Sequence, residues 1–166
     1  PDNAPVVHPG LEMIFNMVLS FSGLFAGFLS DSRGYKEREN LPKVLVGMQF
    51  LTNAAFLPYL ISRNNNDVFD EDLALRQDED SNVLKLGESK ILPILLTAVF
   101  TAGIFWGLFA RPDFGGLDER FTSLGTLLSQ DRLGFSFLID LVYFSVFQSW
   151  LVDDDAERRD WTSTIQ

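Results

Sequence analysis

Residues 91–110 read ILPILLTAVFTAGIFWGLFA, 20 residues without a charge. As a helix rising about 1.5 Å per residue, this run is about 30 Å long, the thickness of a bilayer's hydrocarbon core. A helix at the surface of a small soluble domain keeps one polar face, and this run offers only Thr97 and Thr101 toward one. Three further runs repeat the pattern. Residues 13–30 and 44–62 carry no charge, and residues 133–152 carry one, Asp140. Four such runs leave too little polar surface to dissolve a chain of 166 residues. The expectation is an all-α fold: an integral membrane four-helix bundle, one membrane domain over 1–166, with spans at about 13–30, 44–62, 91–110 and 133–152.

The flanks agree with that expectation. Tyr35, Tyr59, Trp106, Trp150 and Trp161 fall near predicted ends, where amphipathic rings favour the interface. Lys43, Arg63, Lys90 and Arg111 bracket the second and third runs as snorkelling cations do. Pro58 and Pro93 are compatible with spans, because neighbouring helices can re-satisfy freed backbone groups and a proline near a helix start is well placed. Between the third and fourth runs, Leu117, Phe121, Leu124 and Leu128 recur at helical spacing after Gly115 and Gly116. They predict a short amphipathic helix over about 117–130, lying on the membrane surface.

Charge bears on orientation and on partners. The first loop holds Arg33, Lys36, Arg38 and Lys43 while the N-terminal tail holds no Lys or Arg, which places that loop on the cytoplasm-equivalent side and both tails opposite. Four spans divide the Lys and Arg residues almost evenly, seven against six. The second loop is acidic from Asp67 to Asp80. A net charge of −10 disfavours nucleic acid, whose phosphates are bound through Lys and Arg. The chain opens at Pro1 with neither a methionine nor a transit segment, as expected of a mature imported protein.

Chemistry-bearing groups are sparse. With no cysteine and one histidine, His8, the chain cannot build a thiolate zinc site, an iron–sulfur centre or a bis-histidine haem. No P-loop, GxSxG, HExxH or dinucleotide fingerprint occurs, so no enzyme activity is expected. What remains is polar or small residues inside the runs. Asn16, Ser20, Gly23 and Gly27 form one stripe, and Gly23/Gly27 and Gly103/Gly107 are GxxxG pairs suited to close helix packing. Gln49 and Asn53 share a face, as do Thr97 and Thr101, and Ser136, Asp140 and Gln148. Asp140 stands out, since an acid inside a membrane is costly and marks a functional or partnered site. No Lys, Arg or His lies within a run to pair with it, and one acid does not make a proton relay.

The stretch from Leu128 through Arg159, LSQDRLGFSFLIDLVYFSVFQSWLVDDDAERR, resembles the closing segment of small thylakoid membrane proteins of plastids and cyanobacteria, with a looser echo in PGLEMIFN, Pro9 to Asn16. The resemblance implies a multi-pass protein of the chloroplast thylakoid, with lumenal tails, among the peripheral subunits around photosystem I in red-lineage algae. Its partners would be lipids and photosystem core and antenna subunits. It further implies chlorophyll and carotenoid as cofactors, with His8, Asn16, Gln49, Asn53 and Gln148 as candidate magnesium ligands. The antenna family itself is a poorer likeness, because its first span pairs an arginine with a glutamate of another span and no run here holds an arginine. The expected function is a non-catalytic photosystem–antenna scaffold. A small transporter or channel component using Asp140, and an assembly factor, are the alternatives.

Overall fold

A computed structural model describes residues 6–30, 40–65 and 82–158. The first-loop residues Arg33, Tyr35, Lys36 and Arg38, the acidic run Asp67 to Asp80, and Trp161 lie outside the described residues. Among the described residues the chain is all-helical: α1 (Pro9–Leu29), α2 (Leu41–Leu51), α3 (Asn53–Asn65), α4 (Asn82–Gly87), α5 (Ile91–Phe109), α6 (Leu117–Gln130) and α7 (Arg132–Arg158), with a 3-10 turn at Pro112–Phe114. Three helices are long and apolar enough to cross a membrane, namely α1, α5 and the Arg132–Asp153 part of α7.

Helix α1 begins earlier than its uncharged run, because Pro9 supplies a preset φ at the first helical position and His8 caps the end. It occupies the centre, with α5 on one side and α7 and the α2–α3 pair on others. Helix α5 runs antiparallel to α1. A Cβ on Gly23 would lie 2.9 Å from the Leu96 side chain, one on Gly103 3.1 Å from Asn16 Cβ, and one on Gly107 2.7 Å from Met13. Missing side chains thus let the two backbones approach, the contact on which helix association in lipid depends. Helix α7 runs parallel to α1. Gly134 abuts Leu11 at one end, the Phe137 ring meets Phe15 at 5.4 Å, and Phe144 meets Phe25 at 5.2 Å farther along.

The second uncharged run departs from expectation, forming two helices instead of one. The break is at Thr52, where φ is 45° and ψ −123°, a conformation a β-branched residue reaches only under constraint. Across the break, a Cβ on Gly47 would lie 3.3 Å from Ala55 Cβ. Eight residues of continuous helix would separate these positions by about 12 Å. The arms therefore lie side by side as a helical hairpin. Gln49 of α2 reaches Ser22 of α1, the corner meets Asp140 of α7, and Phe56 of α3 packs on Phe25, Phe144 and Phe147. From Asp140 to Phe147 the chain moves toward the end of the molecule where α1 finishes, so α3 descends toward the end from which α2 rose. Tyr59, expected at an interface, is buried in this hairpin.

The core follows from this arrangement. Phe25 stacks on Phe56 at 4.5 Å and 11°, and Phe144 meets both rings edge-on, a geometry that suits the aromatic quadrupole. All three rings are fully buried, together with Val18, Leu29, Leu41, Met48 and Leu151. Helix α6 crosses the opposite end of the molecule, with Leu124 seated against Gly10 and with Leu117 and Phe121 exposed.

Candidate functional site

Breaking a helix orphans backbone groups. At the Thr52 corner the helical ladder is interrupted: Thr52 N–H still reaches Met48 O, and Thr52 O takes the amides of Ala55 and Phe56, while the last carbonyls of α2 and the amides that open α3 lose their helical partners. A side chain from another helix meets this corner. Thr52 Oγ1 donates to Asp140 Oδ2 at 2.7 Å and Asn53 Nδ2 donates to Asp140 Oδ1 at 2.6 Å, with a longer contact to Asp140 O at 3.4 Å. The carboxylate sits at the N-terminal end of α3, where the positive end of the helix dipole favours an anion. Asp140 is thereby a partnered acid, closing the hairpin against α7. Asn53 is 7% exposed, and its Oδ1 is buried without a hydrogen-bond partner.

A second polar cluster ties the other ends of α1 and α5 to α6. Glu12 accepts from Trp106 Nε1 at 2.6 Å and pairs with Arg111 Nη2 at 2.7 Å, while Arg111 Nη1 donates to Val7 O. Arg120 is 6% exposed, and its guanidinium donates to Gly115 O, Gly107 O and Arg111 O at 2.9, 3.3 and 2.8 Å. A buried cation is tolerated there because it fills vacant carbonyls at the negative end of α5. His8 completes the cluster: its Nδ1 accepts from Gly10 N–H at 3.0 Å and its Nε2 lies 2.9 Å from Ser123 Oγ. Ser123 Oγ directs its own proton to Glu119 O, so it accepts from His8 Nε2–H and the tautomer is fixed. Burial, and after it the Arg120 charge, hold the imidazole below its usual pKa of 6.5.

The five candidate magnesium ligands do not converge. His8 has both ring nitrogens engaged. Asn16 donates to Glu12 O and packs beside Gly103, and Gln49 donates to Ser22 Oγ. Asn53 Oδ1 and Gln148 Oε1 keep unengaged lone pairs, both buried by protein. Thr97 and Thr101, which share a face, line an open groove on the outer side of α5 with Pro93, Ala98, Ala102 and Phe105. Among the described residues no cluster of three metal-ligating His or acidic side chains forms.

The sequence had signalled Asp140, but neither its hairpin partner Thr52 nor Arg120. Thr52–Asn53, two adjacent polar residues in the middle of an apolar run, was the available signal for the first. For Arg120 it was a lone cation on an amphipathic helix that follows a glycine pair, three residues after Leu117 and four before Leu124 and so on their face. Comparison with protein-family models, curated proteins and solved structures finds no match to this chain.

Proposed function

We propose that the chain is an integral membrane protein acting as a non-catalytic scaffold subunit of a larger assembly, and that this assembly is a photosynthetic complex of the thylakoid. The observation that carries the scaffold role is the placement of α5. Only Gly103 and Gly107 of that helix are buried; Leu96 and Phe100 meet α1, while Ile91, Ile94, Leu95, Phe105 and Phe109 are exposed. Such a surface suits lipid tails and neighbouring subunits together. The photosynthetic assignment is supported by the likeness of Leu128 to Arg159 to thylakoid proteins. In such an assembly chlorophyll and carotenoid would lie on outer aromatic faces.

The hairpin modifies the span arrangement. With α1, α5 and α7 crossing and α2–α3 re-entering from one side, the polypeptide crosses three times, not four. Purification of the tagged chain from photosynthetic membranes is expected to bring down photosystem core and antenna polypeptides in stoichiometric amounts with pigment absorbance. Recovery alone and colourless would overturn the assignment, and recovery in trace amounts confined to immature complexes would favour an assembly factor. One observation favours transport, the helix break facing an acid, a geometry that membrane transporters use at substrate sites. A flux in liposomes lost in Asp140→Asn would establish it.

A further inference from the structure

We infer that the hairpin corner holds a monovalent alkali cation, coordinated by Asp140, Asn53 Oδ1 and carbonyls of the broken helix. The donors are all oxygen, the chemistry of a hard cation. Asp140 uses one lone pair on each oxygen for Thr52 and Asn53, and each oxygen retains another. Asn53 spends its amide nitrogen on the carboxylate, leaving Oδ1 of the same planar amide buried and unpartnered beside it. Thr52 Oγ1 likewise donates its proton and keeps lone pairs. Among the described residues, no backbone donor meets the carbonyls of Gln49, Phe50 and Leu51 that end α2. A buried amide oxygen without a partner is costly, and so is a carboxylate without a positive charge. No Lys, Arg or His among the described residues approaches Asp140. One guest ion answers both deficits. The single carboxylate selects its charge: one cationic charge neutralises the corner, whereas a divalent ion would leave it positive and asks for more carboxylates.

The inference rests on the membrane assignment only through the low dielectric around the corner, and the experiment reads the ion separately from insertion. Thermal unfolding of the full chain in detergent micelles at pH 7.5 is followed in NaCl and in choline chloride of equal ionic strength. Sodium is expected to raise Tm saturably, by at least about 3 °C at saturation. Asn53→Ala is expected to unfold at one temperature in both salts, and Asn53→Asp, with a second carboxylate, to transfer the response to calcium. If Asn53→Ala fails to fold, calorimetric titration of the wild-type chain with NaCl decides, with saturable heat expected. Equal Tm values in sodium and choline, or a Tm that follows pH and ignores the cation, would overturn the proposal. The latter would assign the corner to a proton.

Discussion

At the scale of single residues, two side chains concentrate the cost and the gain of ordering the α1–α6 end. His8 caps α1 only while neutral, because Nδ1 must offer a lone pair to Gly10 N–H. Unfolded, it titrates near 6.5; folded, burial and Arg120 hold it lower. Between those two values the unfolded chain binds a proton that the folded chain refuses. The stability this cap contributes is therefore present above about pH 6.5 and is lost as pH falls through the folded pKa. Thermal scans from pH 8 to pH 5 should show Tm declining over that window, and His8→Asn, which caps without titrating, should flatten the decline. His8→Ala should cost about 1 kcal/mol at pH 8. Arg120→Met keeps the volume but leaves Gly107 O, Gly115 O and Arg111 O without their donor. It should cost about 3 kcal/mol, against less than about 1 for Arg132→Met, whose side chain is exposed at the start of α7.

At the scale of elements, uncharged length announced α1, α5 and α7, and the GxxxG pairs announced close packing without naming its partner: Gly23, Gly103 and Gly107 lie at the α1–α5 contact, whereas Gly27 faces Gly87 of α4. A glycine's fit is readable from the structure alone. Gly107→Val drives a side chain into Met13 and should cost about 1–3 kcal/mol, whereas Gly125→Ala, with nothing within 4 Å of its added carbon, should be neutral or stabilising. The break at Thr52 was not legible by the usual punctuation. No glycine or proline stands there, and Pro58, which does carry that signal, sits inside α3. The bend is met from another element, by a carboxylate 88 residues away in sequence. For the same reason the candidate ligands were identifiable by type but not by availability, since the partners of His8 and Gln49 come from α6 and α1. The strain at Thr52 has its own test. Thr52→Gly removes the hydroxyl but relaxes φ, while Thr52→Val removes the hydroxyl and keeps the strain, so valine should be the more destabilising by about 1–2 kcal/mol in thermal unfolding.

At the scale of the whole molecule, the hairpin changes which charges share a side. Four crossings divide the 13 Lys and Arg residues nearly evenly, leaving orientation undetermined. The proposed three crossings with a re-entrant α2–α3 would group Arg111, Arg120 and Arg132 in one loop, against ten Lys and Arg residues in the segments assigned by chain order to the other side. Two of those three are committed to the fold, Arg111 to Glu12 and Arg120 to carbonyls. For the proposed three crossings the positive-inside rule predicts the α6 end away from the cytoplasm-equivalent side. The absence of native cysteine makes this directly measurable, because every introduced thiol reports alone. In sealed vesicles of uniform orientation, a membrane-impermeant maleimide should label Asn40→Cys, Ser62→Cys and Asp153→Cys from one side, and Val7→Cys and Asp113→Cys from the other. A continuous second span predicts a different pattern, with Asn40 and Ser62 on opposite sides and Val7 and Asp153 together. Shared accessibility of positions 40 and 62 excludes a continuous second span, and protection of Thr52→Cys between them would place the turn at the corner that Asp140 closes within the bilayer.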